Sequence, residues 1–166
     1  MEHEQELQRL AEQDRLFVFD RFDHNAAWEL GTRLRSAALT RGVSITIEVR
    51  LLRETVFFCA MAGTTPENAD WARRKRNTVE LLHRSSYAVG VAAGRDGTTA
   101  LEKMGLDPRD HASHGGSVPI RVAGVGCVGA ATVSGLPQRD DHELVAEVMA
   151  ALRGAQLSPA PPPTPR

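Results

Sequence analysis

The sequence predicts a single α+β domain in which paired antiparallel strands form one sheet and helices pack on its faces. The clearest strand is "VSITIEVRL", residues 43–51, where apolar and polar residues alternate throughout. A second apolar segment, "TVFFCAM", follows after only "LRE", which indicates a hairpin, and "VPIRVAG" with "GCVGAATVSG" indicates another. Helical segments lie between these strands. This order favours an α+β sandwich over a doubly wound parallel sheet.

The first quarter of the chain predicts two helices around a short strand. Residues 3–15 have helical character without a broad apolar face, and "LFVFDRF" predicts a short aromatic-rich strand or an extended segment. Asp23 can cap a helix that runs from about His24 to Arg41, and Gly42 can end it. One stripe of this helix is apolar and is formed by Ala27, Leu30, Leu34, Ala37 and Ala38.

The first hairpin, residues 43–61, is predicted to have one buried and one polar face, like an antiparallel sheet that is covered on one side. The next helix begins near residue 65 and has strong start signals. Thr65 can serve as its N-cap with Pro66 in the first turn, or Thr64 and Glu67 can form a capping box. Trp71, Lys75, Thr78 and Leu82 share one face of this helix.

In the second half, "SSYAVGVAA" predicts a strand and "TTALEKMG" a short helix. The second hairpin turns near Ala123-Gly124, and the last helix runs from about Gln138 to Leu152 with Gly154 closing it. The inward residues of that helix are predicted to be Leu144, Val145, Val148, Ala151 and Leu152. Residues 1–153 therefore form one predicted domain, and residues 154–166, which include "SPAPPPTPR", form a disordered Pro-rich tail.

Composition excludes several classes of protein. The 166 residues carry a formal net charge of -1, so we expect neither a nucleic-acid binder nor a binder of anionic membranes. Cys59 and Cys127 lie in apolar stretches without a CxxC motif, which predicts buried free thiols. The start "MEHEQELQRL" has no apolar run, so we expect no secretory signal, no membrane span and a cytoplasmic location.

The basic run "RRKR", Arg73 to Arg76, lies inside the best-signalled helix. Successive helical residues advance by about 100°, so four of them cannot share one solvated face. Lys75 lies on the side of Trp71 and is predicted to point toward the sheet or a partner subunit. A buried cation needs a carboxylate or a bound anion. Three interpretations of this basic run stay open here: structural ion pairs, an anionic ligand at Lys75 and Arg74, or a subunit interface.

The segment "DHASHGGSVPI", residues 110–120, carries His111 and His114 three residues apart. Two glycines and two nearby prolines indicate an irregular loop, and no third ligand is fixed by spacing, so we expect no preformed metal site. His114 can face a cofactor or substrate, or can be a structural histidine bonded to backbone. Gly115 and Gly116 allow either a close approach to a ligand or a positive-φ turn, and Pro119 predicts an edge strand or a strand entry.

Three segments carry a resemblance to a known family: "GTTPENADWARRKRNTVELLHRSSYAVG", "ASHGGSVPIRV" and "GAATVSGLPQRDDHELV". They closely resemble uncharacterised protein family 0303, whose members are commonly labelled heme-degrading domain-containing proteins within the GlcG/HbpS-like group. The motif residues are Gly115, Gly116, Pro119 and Ile120, then Val133, Ser134 and Gly135, then Asp140 and Asp141. The resemblance implies a profilin-like sandwich with a central antiparallel sheet of about five strands, a homo-oligomer, and heme as the possible cofactor.

Three functions follow as hypotheses. The first is a ligand-binding protein for heme, another tetrapyrrole or a small anionic ligand, with a candidate site of His114, Gly115, Gly116, His111, Lys75 and Arg74. The second is a non-catalytic oligomeric scaffold or chaperone adaptor. The third is an enzyme acting on a small anionic metabolite, with Arg74, Lys75 or Arg76 supplying charge and His114 transferring protons. No catalytic residue is assigned, and the first hypothesis is preferred.

Overall fold

The computed structural model describes residues 1–157, and the segment "SPAPPPTPR" lies outside the described residues. The elements in chain order are α1 (Glu2–Arg15), β1 (Val18–Phe19), α2 (His24–Arg41), β2 (Thr46–Leu51), β3 (Glu54–Ala60), α3 (Pro66–Leu82), α4 (Ser86–Arg95), α5 (Ala100–Met104), β4 (Ser117–Val122), β5 (Gly126–Ser134) and α6 (Gln138–Leu157). Within this part of the chain, no helix is long and apolar enough to span a membrane.

The strands form one sheet in the order β1-β4-β5-β2-β3. The α+β sandwich and the five-stranded sheet are confirmed, but the sheet is mixed, because β1 runs parallel to β4. Pro119 lies in β4, and β1 pairs only with Arg121 and Val122 farther along that strand. The proline therefore occupies a stretch of β4 that has no neighbour on the β1 side, where a missing N–H removes no ladder bond.

The two faces of the sheet are covered differently. Residues of α2 and α6 pack with the sheet into the main apolar core, which includes Leu30, Leu34, Ile47, Leu144 and Met149. Helix α3 covers the other face, where the polar residues of β2 lie. The prediction that β2 is covered on one side only is wrong, because α3 shields Glu48 in an ion pair with Arg76 (Nε to Oε1, 3.0 Å).

Both predicted hairpins are confirmed. Strands β2 and β3 are joined by Leu52 and Arg53, which have φ values of 52° and 65°. These left-handed residues match the turn whose backbone twist suits a two-residue hairpin, although neither is the Gly or Asn that the turn favours. The second hairpin turns at Ala123-Gly124, as predicted, between β4 and β5.

The helix ends explain why most helix predictions are correct. Ala26 N donates to Asp23 Oδ1 (2.8 Å) at the start of α2, and Gly42 ends that helix with a φ of 67°. At α3, Thr65 is the N-cap and its N–H donates to Asn68 Oδ1 (3.0 Å). The alternative capping box of Thr64 and Glu67 is therefore wrong.

The main error concerns "SSYAVGVAA", which is helix α4 rather than a strand. Ser85 caps it by accepting a hydrogen bond from Ala88 N (3.2 Å). Helix α6 continues through Gly154 to Leu157, so the predicted stop at Gly154 is wrong. Ala151 is exposed, contrary to prediction, and Met149 is buried in its place.

Candidate functional site

A buried ion pair lies between α3 and α6. The side chains of Lys75 and Asp141 are each 3% exposed, and Lys75 Nζ lies 3.2 Å from Asp141 Oδ2. The same ammonium donates to the carbonyl oxygens of Gly115 (3.1 Å) and Val133 (2.7 Å). An ammonium has three donors, and all three of these are used within the chain.

The carboxylate of Asp141 also has several hydrogen-bond partners. Its Oδ1 accepts from Leu136 N (3.0 Å), and its Oδ2 accepts from Gly135 N (3.3 Å) as well as from Lys75. Burial lowers the pKa of Lys75 and raises the pKa of Asp141, and the attraction between the two charges opposes both shifts. The carboxylate that the sequence analysis required for a buried cation is therefore Asp141, and the pair joins α3, α6, β5 and the loop before β4.

That loop, residues 110–116, needs both of its glycines. A Cβ on Gly116, whose φ is 136°, would lie 2.4 Å from Lys75 Nζ. A Cβ on Gly115 would lie 2.2 Å from the carbonyl oxygen of Gln138, and Gly115 N donates to Gln138 Oε1 (3.1 Å). The two glycines therefore allow the loop to pack against α3 and α6, and this packing fixes the position of the residue before them, His114.

The His114 ring is exposed and contacts Trp71 edge-on, with 4.9 Å between ring centroids. Partial desolvation, and then the positive charges of Lys75 and Arg74, lower the pKa of His114. Within residues 1–157, no hydrogen bond or ion pair holds either ring nitrogen. His114 is therefore a neutral imidazole near pH 7 with a lone pair available to a ligand.

The other two candidate side chains of the sequence prediction, Arg74 and His111, are held by contacts of their own. Arg74 stacks on the Trp71 ring, with its guanidinium carbon 4.3 Å from the ring centroid, and donates to Pro108 O (3.1 Å). His111 Nδ1 lies 3.4 Å from Asp107 O and lines neither of the cavities described next. The structure thus brings His114, Gly115 and Lys75 together and leaves His111 apart.

Two cavities meet at His114. The small cavity, about 300 Å³, is lined by Trp71, Lys75, His114, Gly115 and Asp141 together with neighbouring residues. Lys75 and His114 share this cavity, which is the arrangement that the enzyme hypothesis requires. The ammonium of Lys75 has no donor left for a substrate, however, so its main role here is to hold the loop.

The large cavity, about 660 Å³, lies between α1, α4, the 110–116 loop and the start of α6. Tyr87 and Val91 of α4 line it, together with His114 and with Arg139 of α6. The α1 residues that line it are Glu2, His3, Gln5, Glu6 and Arg9. The sequence did not predict that α1 contributes to this cavity. The spacing of Glu2, Glu6 and Arg9 puts them on one helical face, but nothing in the sequence brings that face to His114.

Helix α1 is tied to α6 by a polar network. Gln13 donates from Nε2 to Glu143 Oε2 (2.9 Å), so its Oε1 accepts from His142 Nε2 (2.7 Å). His142 is fully buried, and burial lowers its pKa to about 4. Arg9 also reaches Glu143 (Nη2 to Oε1, 2.7 Å). This network holds α1 over the large cavity.

No group of three or more His, Cys, Asp or Glu side chains is arranged to hold a metal ion within residues 1–157. The cysteines are free thiols, as the sequence predicts, but both are only partly buried. Burial raises the pKa of Cys127, which makes it a poor nucleophile.

Comparisons with known proteins give the chain its family. The family model described as "Haem degrading protein HbpS-like" matches residues 22–150. A curated relative from Azotobacter vinelandii, named "UPF0303 protein", is 50% identical over 157 residues, which is 95% of each chain. Its name states a family and no activity.

Two solved structures are similar to this fold. The Ybr137w protein has a TM-score of 0.84 and 26% identity over 92% of this chain and 90% of its own. The structure titled "PduOC:Heme Complex" has a TM-score of 0.66 and 14% identity, and covers 81% of this chain and 95% of its own. The chain belongs to the UPF0303 proteins within the HbpS-like family, as its motifs indicated.

Proposed function

We propose that this chain is a ligand-binding protein that takes haem or a closely related tetrapyrrole in the large cavity, with His114 as the nitrogen ligand. One observation carries the proposal: the exposed His114 imidazole lines that cavity, has no hydrogen-bond partner within residues 1–157, and has a lowered pKa. A neutral imidazole is a common iron ligand in haem proteins. The family description and the haem-bound PduOC structure point to the same class of ligand.

The large cavity suits such a group in size, and two of its lining residues offer apolar surface. Its volume of about 660 Å³ lies within the range of small-molecule and cofactor sites. Tyr87 and Val91 offer aromatic and aliphatic surface, and Gly90 between the two positions adds no side chain. A flat ring can therefore lie against α4 at these two residues, while the rest of the cavity lining is mostly polar or charged.

The charges at the rim suit the acidic edge of a tetrapyrrole. Arg139 is 59% exposed and lies 3.7 Å from Glu6 in a weak ion pair, so its guanidinium can reach an incoming carboxylate. Arg9 is already held by Glu6 and Glu143, with distances of 2.6 and 2.7 Å. We therefore assign the carboxylate contact to Arg139 and a positioning role to Arg9. Bound haem would supply an iron centre for ligand or redox chemistry.

Titration of the purified full chain with hemin tests the proposal. We expect wild type to give a saturable shift of the Soret band. His114→Ala should weaken binding at least about tenfold because the iron loses its ligand. His111→Ala is the matched control, because His111 sits in the same loop and lines neither cavity. Equal titrations for wild type and His114→Ala would contradict the assignment of His114.

We also propose that the partner of this chain is a second copy of itself, in the cytoplasm. Strand β3 is an edge of the sheet, and Phe58 on it is 53% exposed. An unpaired apolar edge strand favours association with another chain. Light scattering tests this: we expect a homo-oligomer, and a monodisperse monomer would contradict it.

A further inference from the structure

We propose that α1 is a strap over the large cavity that acid releases, and that the trigger is the buried His142 of α6, where α1 is attached. The inference goes beyond the proposed function, because it concerns the wall of the cavity and not its occupant. It therefore holds whichever ligand the cavity takes.

The ring of His142 is buried where three helices meet. The residue has no exposed surface, its Nε2 donates to Gln13 Oε1 of α1 (2.7 Å), and its ring centroid lies 5.2 Å from that of Tyr87 on α4. The other ring nitrogen, Nδ1, is buried without a hydrogen-bond partner in residues 1–157. The closed structure therefore suits the neutral ring with its hydrogen on Nε2.

A second proton on this ring is unfavourable while α1 is in place. It would lie on Nδ1, where a charged N–H would have neither an acceptor nor water. Burial is therefore the main reason that the pKa of His142 falls to about 4. The surrounding charges are two positive and two negative, so they largely balance. The groups that face the ring are Arg9 and Glu6 on α1, Arg139 and Glu143 on α6, and Tyr87 on α4.

A protonated His142 needs water, so one of the helices that cover it has to move, and α1 is the most weakly held of them. Leu10 is the one buried residue of α1, whereas α4 has four buried residues and α6 has eight. The ion pairs of α1 with α6 and β4, at Arg9, Glu6 and Asp14, involve partly exposed side chains, and such pairs contribute little. A detached helix of 14 residues is also marginal in water, so release should unfold it.

The chain just after α1 offers a hinge for this movement. Leu16 is 59% exposed, whereas Phe17 and Phe19 are buried in the main apolar core. The displacement can therefore end at Leu16 and leave the sheet in place. Because α1 forms one wall of the large cavity, its release opens the cavity along that side.

Hydrogen exchange of the full chain without added ligand, at pH 7 and pH 5.5, tests the inference. In the open state His142 regains its ordinary pKa of 6.5, so the closed state is favoured above pH 6.5 and loses ground as the pH falls toward 4. The opening constant should rise about eightfold between pH 7 and pH 5.5. After correction for the intrinsic effect of pH on exchange, the protection factors of α1 amides should fall by that factor. They should also be at least about tenfold lower than those of β2 at both pH values.

Three variants complete the experiment. His142→Gln should abolish the fall in α1 protection, because an amide does not titrate, and β2 protection at pH 7 reports whether this variant folds. His24→Gln is the matched control, since His24 is an exposed histidine on α2, and it should keep the eightfold fall. Gln13→Ala should lower α1 protection at pH 7 while β2 protection stays the same, and it tests the junction even if His142→Gln does not fold.

Two results would overturn the inference. Equal protection of α1 and β2 in wild type would mean that α1 opens only when the whole chain unfolds, so α1 would not be a strap. An unchanged fall in His142→Gln, or unchanged α1 protection in Gln13→Ala, would remove the junction of Gln13 and His142 as the trigger.

Discussion

The two cavities that meet at His114 differ in how fully their polar groups are used. In the small cavity, every donor of Lys75 is satisfied by Asp141 or by a backbone carbonyl, and both side chains are buried. In the large cavity, His3, His114 and Arg139 are exposed and only weakly held. Groups that are buried and satisfied maintain the fold, whereas exposed and unsatisfied groups are available to a ligand. Substitutions in the first cavity should therefore change stability, and substitutions in the second should change binding.

The largest change in the free energy of unfolding is expected when Lys75 is replaced. Lys75→Met leaves the carboxylate of Asp141 buried without its cation, which should lower the free energy of unfolding by about 3–5 kcal/mol. Urea denaturation measures this loss. Lys103→Met is the matched control, because Lys103 pairs with Asp96 on the surface and such pairs are worth about 1 kcal/mol or less. A loss at Lys75 no larger than that at Lys103 would remove the distinction between the two regions.

His142 makes the attachment of α1 sensitive to acid. Its pKa is lowered from 6.5 to about 4 in the folded chain. Between these values the unfolded chain binds the proton more tightly, so stability is fully present above pH 6.5 and is lost as the pH falls toward 4. The loss should be about 3 kcal/mol. In His142→Gln this part of the pH dependence should disappear from urea midpoints measured between pH 7 and pH 4.5; an unchanged slope would show that other groups cause it.

A smaller loss of stability is expected when Gly116 is replaced. Gly116→Ala places a Cβ 2.5 Å from Val133 O on a backbone with a φ of 136°. Strain of this kind costs about 1–3 kcal/mol. Thermal unfolding measures it, and Gly124→Ala provides a comparison, because Gly124 has a φ of 75° but no atom within 4 Å of the added Cβ. Equal losses at both positions would mean that the backbone angle alone matters and that the contact with Lys75 and Val133 does not.

The smallest change in stability is expected in the large cavity. Arg139→Ala should alter the free energy of unfolding by no more than about 0.5 kcal/mol, since the side chain is exposed. It should weaken hemin binding several-fold, because a carboxylate of the ligand loses its charged partner. Calorimetric titration beside urea unfolding separates the two effects. A stability loss without a change in affinity would place Arg139 with the structural residues.

Much of the fold could be predicted from local signals. Asp23, Gly42, Thr65 and Pro66 mark helix ends by short-range chemistry, and the alternation in residues 43–51 marks a strand. The strand prediction for "SSYAVGVAA" failed because valines and an internal glycine disfavour a helix in isolation. In the folded chain, Gly90 is needed because a Cβ there would lie 2.3 Å from the backbone oxygen of Ser113. Tertiary contacts therefore override the local preference at that point.

The candidate site could be predicted only in part. The helical sweep of "RRKR" correctly predicts that Lys75 points toward the sheet, but nothing in the sequence pairs it with Asp141, which lies 66 residues farther along the chain. His114 stays a predicted ligand and is correctly placed in a loop before a strand. The wall formed by α1 could not be predicted, because it depends on α1 packing against α4, a segment that the sequence analysis assigned to a strand.

Native mass spectrometry of wild type and His114→Ala, purified from the same cells, tests the central claim most directly. It reports the number of subunits and the mass of any retained small molecule together. The account predicts a retained tetrapyrrole on wild type that is absent from, or strongly reduced on, His114→Ala. A different small molecule retained equally by both proteins would contradict the claim that His114 holds the ligand of this fold.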